Sequence, residues 1–141
     1  MIDSLPSQLR RDEGVRRSAY QDHLGYWTIG VGRLIDERKG GGLRDSEIGL
    51  LLANDIEDRV RTLTDALPWF AGLDPIRQAV LLNMAFQLGT AGLLAFTTTL
   101  THVRAGRYIE ASKAMLQSKW ATQTPERAMR LADQMRDGQW R

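Results

Sequence analysis

From Gln78 to Val103 the chain carries no Asp, Glu, Lys or Arg. Such a stretch must be buried, either in a protein core or in a bilayer, because apolar surface of that extent is costly to leave in water. Its interior decides between the two. Asn83, Gln87, Gly89, Gly92 and the threonines 97 to 99 interrupt it, and the two glycines cut it into helix-sized pieces. The stretch reads as a buried central helix followed by a short one, without stable membrane insertion. A chain of 141 residues around one such helix has enough length for one core and too little for two independent domains.

Composition narrows the chemistry. There is no cysteine and there are two isolated histidines, His23 and His102. Thiol catalysis, disulfide frameworks and thiolate metal sites are therefore excluded, and no metal or organic cofactor is implied. The formal charge is +2, from 19 Lys+Arg and 17 Asp+Glu. It is unevenly spread: residues 101–141 hold 8 basic and 4 acidic residues. A basic C-terminal third is either attracted to a polyanion or simply a solvated basic face. No Lys/Arg-rich run or aromatic-interleaved basic stripe points to nucleic acid. The N-terminal MIDSLPSQLRRDEG has no apolar h-region, so no signal peptide is expected and a cytoplasmic origin follows as an expectation.

The punctuation places the elements. Ser4 with Pro6 just inside opens a first helix that Gly14 closes. Ser18 to Ile35 is rich in Tyr, Trp, Thr, Ile and Val and broken by Gly25, Gly30 and Gly32, so it reads as a small antiparallel meander. The polar, glycine-rich segment 36–42 is a loop. From Asp45, residues Ile48, Leu51, Leu52, Ile56, Val60 and Leu63 recur at helical spacing, predicting a long helix that ends near Pro68. Asp74-Pro75 starts the buried helix, which Gly89 stops. Short helices follow around 91–95, 98–104 and 108–118, and Thr124-Pro125 opens a last amphipathic helix that Gly138 closes. The prediction is a mostly α, α+β fold in one domain, 1–141. It has a small β-lobe (15–42), a helical lobe (1–14 and 67–141) and a connector helix (45–66).

Three polar residues surround the β-segment. Glu13 lies in the last turn of the first helix, where the negative dipole end disfavours a charged carboxylate and partial burial would add to that. This suits a general acid. Asp22 sits in the turn Gln21-Asp22-His23-Leu24-Gly25, solvated and suited to a general base. Thr28 follows on the next strand. Two carboxylates in contrasting environments are the arrangement that cleaves a glycosidic bond. Taken singly, Glu13 reads equally as a surface residue, and Asp22 as a turn former bonding its own backbone.

The surrounding sequence goes further. Leu9-Arg10-Arg11-Asp12-Glu13-Gly14, then Tyr20-Gln21-Asp22, then Gly25-Tyr26-Trp27-Thr28-Ile29-Gly30-Val31-Gly32 resembles the catalytic signature of the phage-type lysozymes, glycoside hydrolase family 24. Asn83 to Gly89 with Gly92 and Phe96-Thr97 resembles that family's central helix and cleft-lining turn. Ser118 to Ala128 resembles its Trp…Gln-Thr-Pro-x-Arg motif. These segments stand in the family's order and cover most of the chain.

The resemblance implies an endolysin muramidase acting on the β-1,4 bond between N-acetylmuramic acid and N-acetylglucosamine. Glu13 would be the proton donor, Asp22 the base or electrostatic partner and Thr28 a holder of the attacking water. Inversion would require about 6.5–9.5 Å between the carboxyl groups. Gly32, Leu34, Phe86, Gln87 and Thr99 match cleft-lining positions, with Phe86 open to a pure core role. Arg127 matches an arginine that pairs with the catalytic glutamate. Arg33 stands where relatives often carry His, and the resemblance pairs it with Asp55 on the connector helix. The segment 35–44 is shorter than in relatives, and Ala114 replaces a substrate-contacting asparagine. The implied partners are peptidoglycan glycan strands, met as a monomer after release through a separate holin, with electrostatic attraction to the anionic envelope. A lytic transglycosylase, and a non-catalytic wall-binding or structural phage protein, are the alternatives.

Overall fold

The computed structural model describes residues 4–36 and 40–141. The capping role of the Ser4 side chain, and residues 37–39 of the loop, lie outside the described residues. The mostly α, α+β fold predicted above is the one observed. Two compact units divide the chain, one reaching to Leu52 and the other spanning Ala53–Arg141.

In the first unit, α1 (Ser4–Glu13) runs straight into the sheet through Gly14. The sheet is antiparallel in the order β1 (Arg16–Gln21), β2 (Trp27–Gly30), β3 (Arg33–Leu34). Thr28 is paired on both sides, with Tyr20 and with Leu34. The β1–β2 register is irregular between Arg16 and Tyr20, so β1 carries extra residues there and bends. Thr28, 3% exposed, is the one buried residue among those described in this unit. Helix α1 belongs to this unit: only a two-residue link separates it from β1, and the Glu13 side chain lies against Gly32 at the β2–β3 turn.

Helix α2 (Asp45–Ala66) has the predicted bounds. Of its apolar stripe only Leu63 is buried; Ile48, Leu51, Leu52, Ile56 and Val60 remain exposed. Leu63 is the member that joins the core of the second unit, together with Leu67 and Phe70 from the chain just after the helix.

That core contains Val80, Leu81, Met84 and Ala85 of α3 (Pro75–Leu94). Asp74 caps α3 by accepting from the Arg77 amide, and Pro75 fills the first helical position, which costs no hydrogen bond there. Gly89 interrupts the helix as predicted. With φ 76° and ψ 163° it kinks the chain, and helical structure resumes to Leu94. After a further bend comes α4 (Thr97–Arg104), then α5 (Tyr108–Leu116), with Leu100, Val103, Ala111 and Met115 turned inward. Among the described residues, no single helix is long and apolar enough to cross a membrane.

A five-residue helix, α6 (Lys119–Gln123), was not predicted. Its signal was available: Ser118 is its N-cap, accepting from the Ala121 amide. Helix α7 (Pro125–Asp137) buries Ala128, Leu131, Ala132 and Met135, the i, i+3, i+4, i+7 stripe of an amphipathic helix. It closes at Gly138, φ 66°. There Arg136 and then Arg141 hydrogen-bond Asp137 and hold its carboxyl at about 2, below the ordinary carboxylate range.

Candidate active site

Glu13 is the last residue of α1, which places its carboxylate at the negative end of the helix dipole. The side chain is exposed, so the partial burial expected for it is absent. What positions it is Gly32. This residue has φ +68°, and a Cβ built there would lie 2.8 Å from Glu13 Oε2. A glycine is therefore required twice over at position 32: for its left-handed backbone and to let the carboxylate approach. Gly32→Ala should cost about 1–2 kcal/mol of stability from the backbone alone. It should also push the Glu13 carboxylate aside and lower activity beyond what the stability loss explains. Thermal melts run beside kinetic assays check this; wild-type kcat in a folded Gly32→Ala protein would contradict it.

Asp22 opens the β1–β2 turn. Its Oδ1 accepts from the amides of Leu24 and Tyr26, each at 2.9 Å. Its backbone amide donates to the Tyr26 carbonyl at 2.8 Å, and its carbonyl accepts from Gly25. The turn-former reading of Asp22 is thus realised, and it does not use up the carboxylate. One oxygen fixes the turn, and Oδ2 takes no part in it. The same bonds orient the group rigidly, as a base requires. Thr28 Oγ1 donates to the Tyr26 carbonyl at 3.0 Å. Its proton is committed, so Thr28 can act on another group only as an acceptor. Tyr26 thereby links Asp22 to Thr28: its amide holds the first and its carbonyl the second.

Leu34 pairs directly with Thr28 across the sheet. Arg33, beside it, does not have the partner expected. Its guanidinium is paired with Glu47, not with Asp55. Glu47 is the third residue of α2, and its other oxygen accepts from the Arg44 amide at 2.9 Å, the return bond of a helix capping box. That fixed carboxylate is already in place for Arg33. The Arg44 amide first, and then the Arg33 guanidinium, hold the Glu47 carboxyl below its ordinary range despite some desolvation.

The remaining candidates lie in the second unit. Phe86 is 45% exposed, which removes the pure core reading. It lines a cavity of about 390 Å³ with Asp55, Asp58, Arg59 and Thr62. Gln87 Oε1 accepts from the indole of the buried Trp120 at 2.9 Å, so its carbonyl is structural and its amide protons are the groups it can present. Thr99 is buried and borders a second cavity, of about 260 Å³, with Phe96, Ala114 and Gln117. Within the second unit Arg127 is held by Asn83: Nε and Nη2 reach Asn83 Oδ1 at 2.9 and 2.7 Å, and Nη2 also reaches the Asn83 carbonyl. A planar guanidinium gripped on one edge by a side-chain amide of α3 has its orientation set there. Sequence reasoning had noted Asn83 only as part of the family segment and assigned it no role. Among the described residues there is no group of three or more His, Cys, Asp or Glu able to hold a metal ion.

Comparisons with known proteins place the chain among relatives. A family profile described as phage lysozyme matches residues 10–134. The chain is 33% identical over 153 residues to the pre-baseplate central spike protein Gp5 of Enterobacteria phage T4, covering 91% of this chain and 27% of that one. It is 28% identical over 165 residues to probable T4-type lysozyme 1 of Dictyostelium discoideum, covering 98% of this chain and 96% of the relative. For probable T4-type lysozyme 2 of the same organism the identity is 27% over 157 residues, with 93% and 92% covered. The chain thus spans about a quarter of the spike protein and nearly all of the other two.

Proposed function

Proceeding from a chain that belongs to the phage lysozyme family and is a lysozyme-type enzyme, we propose that it hydrolyses the β-1,4 bond between N-acetylmuramic acid and N-acetylglucosamine with inversion at the anomeric carbon. The observation that carries this reading is the pairing of roles around the sheet. Glu13 is seated against Gly32 at the end of a helix, and Asp22 is locked in a turn with one oxygen uncommitted to it.

Glu13, in its protonated form, gives its proton to the glycosidic oxygen as the bond to the anomeric carbon breaks. Asp22 takes a proton from the water that attacks the opposite face of the sugar ring. Thr28, an acceptor because its own proton is bonded to Tyr26, helps to hold that water. The positive charge developing on the ring is met by the ionised Asp22. No step calls on a metal or a cofactor. The substrate is the glycan of the bacterial wall, reached after a separate pore protein opens the membrane, and the basic C-terminal third speeds the encounter in a salt-dependent manner.

The test is loss of turbidity of permeabilised cells, followed by mass analysis of the released fragments. Hydrolysis leaves reducing ends that carry the added water. Fragments lighter by one water would assign a lytic transglycosylase instead. An unchanged turbidity would favour the non-catalytic alternative.

A further inference from the structure

The two faces of the sheet differ. Successive residues of a strand point to opposite sides, and residues paired across strands share a side. Thr28 and its partner Leu34 therefore occupy one face, and Ile29 and its partner Arg33 the other. Against that second face lies a cavity of about 600 Å³, lined by the first unit alone. Its walls are apolar: Ile29 and Val31 from the sheet, Ile35 and Leu43 from the chain after it, and Leu51 from α2. Apart from Ile29, which is half-buried, these side chains are exposed. Three guanidiniums and one carboxylate line the same cavity. Arg33 is paired with Glu47, so that pair is neutral. Arg16 and Arg17 remain. Arg16 lies over the Tyr20 ring at 5.4 Å, a contact that leaves its charge in place. No carboxylate among the described residues of this unit pairs with either arginine. Neighbours on a regular strand face opposite ways; these two line one cavity where the β1–β2 register shifts, between Arg16 and Tyr20.

An apolar concavity with a few convergent polar groups has the make-up of a small-molecule site, for which volumes of about 300–1,000 Å³ are usual. Its charge selects the ligand. We propose that the cavity takes a single-chain amphiphile with an anionic head group, a carboxylate or a phosphate, from solution. The head group meets the Arg16 and Arg17 guanidiniums, whose planar donors suit either oxyanion. The chain lies along the apolar walls from Ile29 to Leu51. A cationic amphiphile of the same length meets both arginines as like charges. A bilayer fits less well, because anionic membrane surfaces are read by clusters of about 4–8 Lys/Arg, against two arginines beside a concavity here. Thr28 is the one buried residue among those described in this unit. A bound chain therefore adds apolar burial where the unit has little, and stabilises it by mass action. The inference does not depend on the glycan reading, since the cavity adjoins the face of the sheet opposite Thr28.

The experiment titrates the full chain with decanoate, decyl phosphate, decanol and decyltrimethylammonium, each below its micelle-forming concentration, and follows methyl and amide NMR shifts. The two anions should saturate, with shifts centred on Ile29, Val31, Leu43 and Leu51. They should bind about tenfold more tightly than decanol, the effect of one charge-assisted contact. Decyltrimethylammonium should not bind. Dodecanoate should bind about tenfold more tightly than decanoate, from two further buried methylenes. Amide exchange should slow in the strands of the first unit and stay unchanged in the core of the second. Arg16→Gln together with Arg17→Gln should bring both anions down to the affinity of decanol. Leu51→Trp, which fills the cavity, should weaken every probe. Amide spectra establish that each variant is folded, and Leu43→Trp replaces Leu51→Trp if that protein is not. No saturable binding, equal affinity for anionic and cationic probes, or an anion preference unaffected by the double arginine substitution overturns the proposal. So does binding to phosphatidylglycerol vesicles without binding to the monomeric anions, which would assign the arginines to a membrane surface.

Discussion

Glu13→Gln is expected to lower wall-clearing activity by about 10²–10⁴-fold, the range a positioned general acid contributes, with the thermal unfolding midpoint unchanged within a degree or two. The substitution keeps the shape and removes only the transferable proton. Glu13 is exposed, and no hydrogen bond within the fold depends on its carboxylate among the described residues. A stability loss would have no structural source, so activity and stability should separate cleanly. The amide also reproduces the contact with Gly32, which distinguishes this variant from Gly32→Ala, where the acid is present but misplaced. Turbidity assays on permeabilised cells, at matched protein concentration and with melts recorded alongside, check the prediction. A Glu13→Gln protein that clears walls at the wild-type rate would remove Glu13 from the mechanism.

Arg77→Ala is expected to destabilise the fold by about 3 kcal/mol, the sum of a few charge-assisted hydrogen bonds in a half-buried setting, and to lower Tm on the order of 10 °C for a chain of this size. Arg77 joins three elements of the second unit. Its Nε donates to the Met135 carbonyl at 2.7 Å and its Nη2 to the Arg136 carbonyl at 3.0 Å. These are two of the carbonyls that the end of α7 leaves without helical partners. Nη1 reaches Asp74 at 3.2 Å, and the guanidinium lies 3.7 Å from the centre of the Tyr108 ring. The side chain is 15% exposed, so screening by water takes little from these contacts. A Cβ at Gly138 would fall 2.8 Å from Arg77 Nη1, which shows how closely the α7 terminus fits around it. Arg77→Lys, which keeps the charge but loses the planar fork, should recover less than half of the loss. Thermal denaturation of the three proteins tests this. A change under 1 kcal/mol in Arg77→Ala would mean that water replaces the arginine at the helix end.

The helices with strong punctuation were legible because their signals are local. Asp74-Pro75, Thr124-Pro125 and Gly138 specify backbone conformation by their own chemistry, and the structure places helix ends there. The meander was legible for the same reason: glycines at 25, 30 and 32 adopt the positive φ that its turns need. Side-chain pairing was not legible, even where a motif named both partners. Arg33 was assigned to Asp55 on a family pattern, but Glu47 had already been fixed beside it by the Arg44 amide. Asn83 holds Arg127 through two of its own atoms, a contact between residues 44 apart that no spacing announced. Helix α6 is shorter than two turns, so no hydrophobic period could reveal it, and Ser118 was read as an end rather than a beginning. The apolar stripe of α2 has the correct period, yet period alone does not say what covers it, and only Leu63 reaches the core.

By itself, the order of residues determined the class of fold, the positions of most helix ends and the three groups around the meander, because capping, turn chemistry and apolar period act over a few residues of chain. Tertiary structure alone decided how each of those groups is held. Glu13 is set by the absence of a side chain at Gly32, and Asp22 by the turn amides it accepts. Hydrogen bonds and close approaches depend on distances across the fold, and distance in space is the quantity that spacing in sequence does not carry.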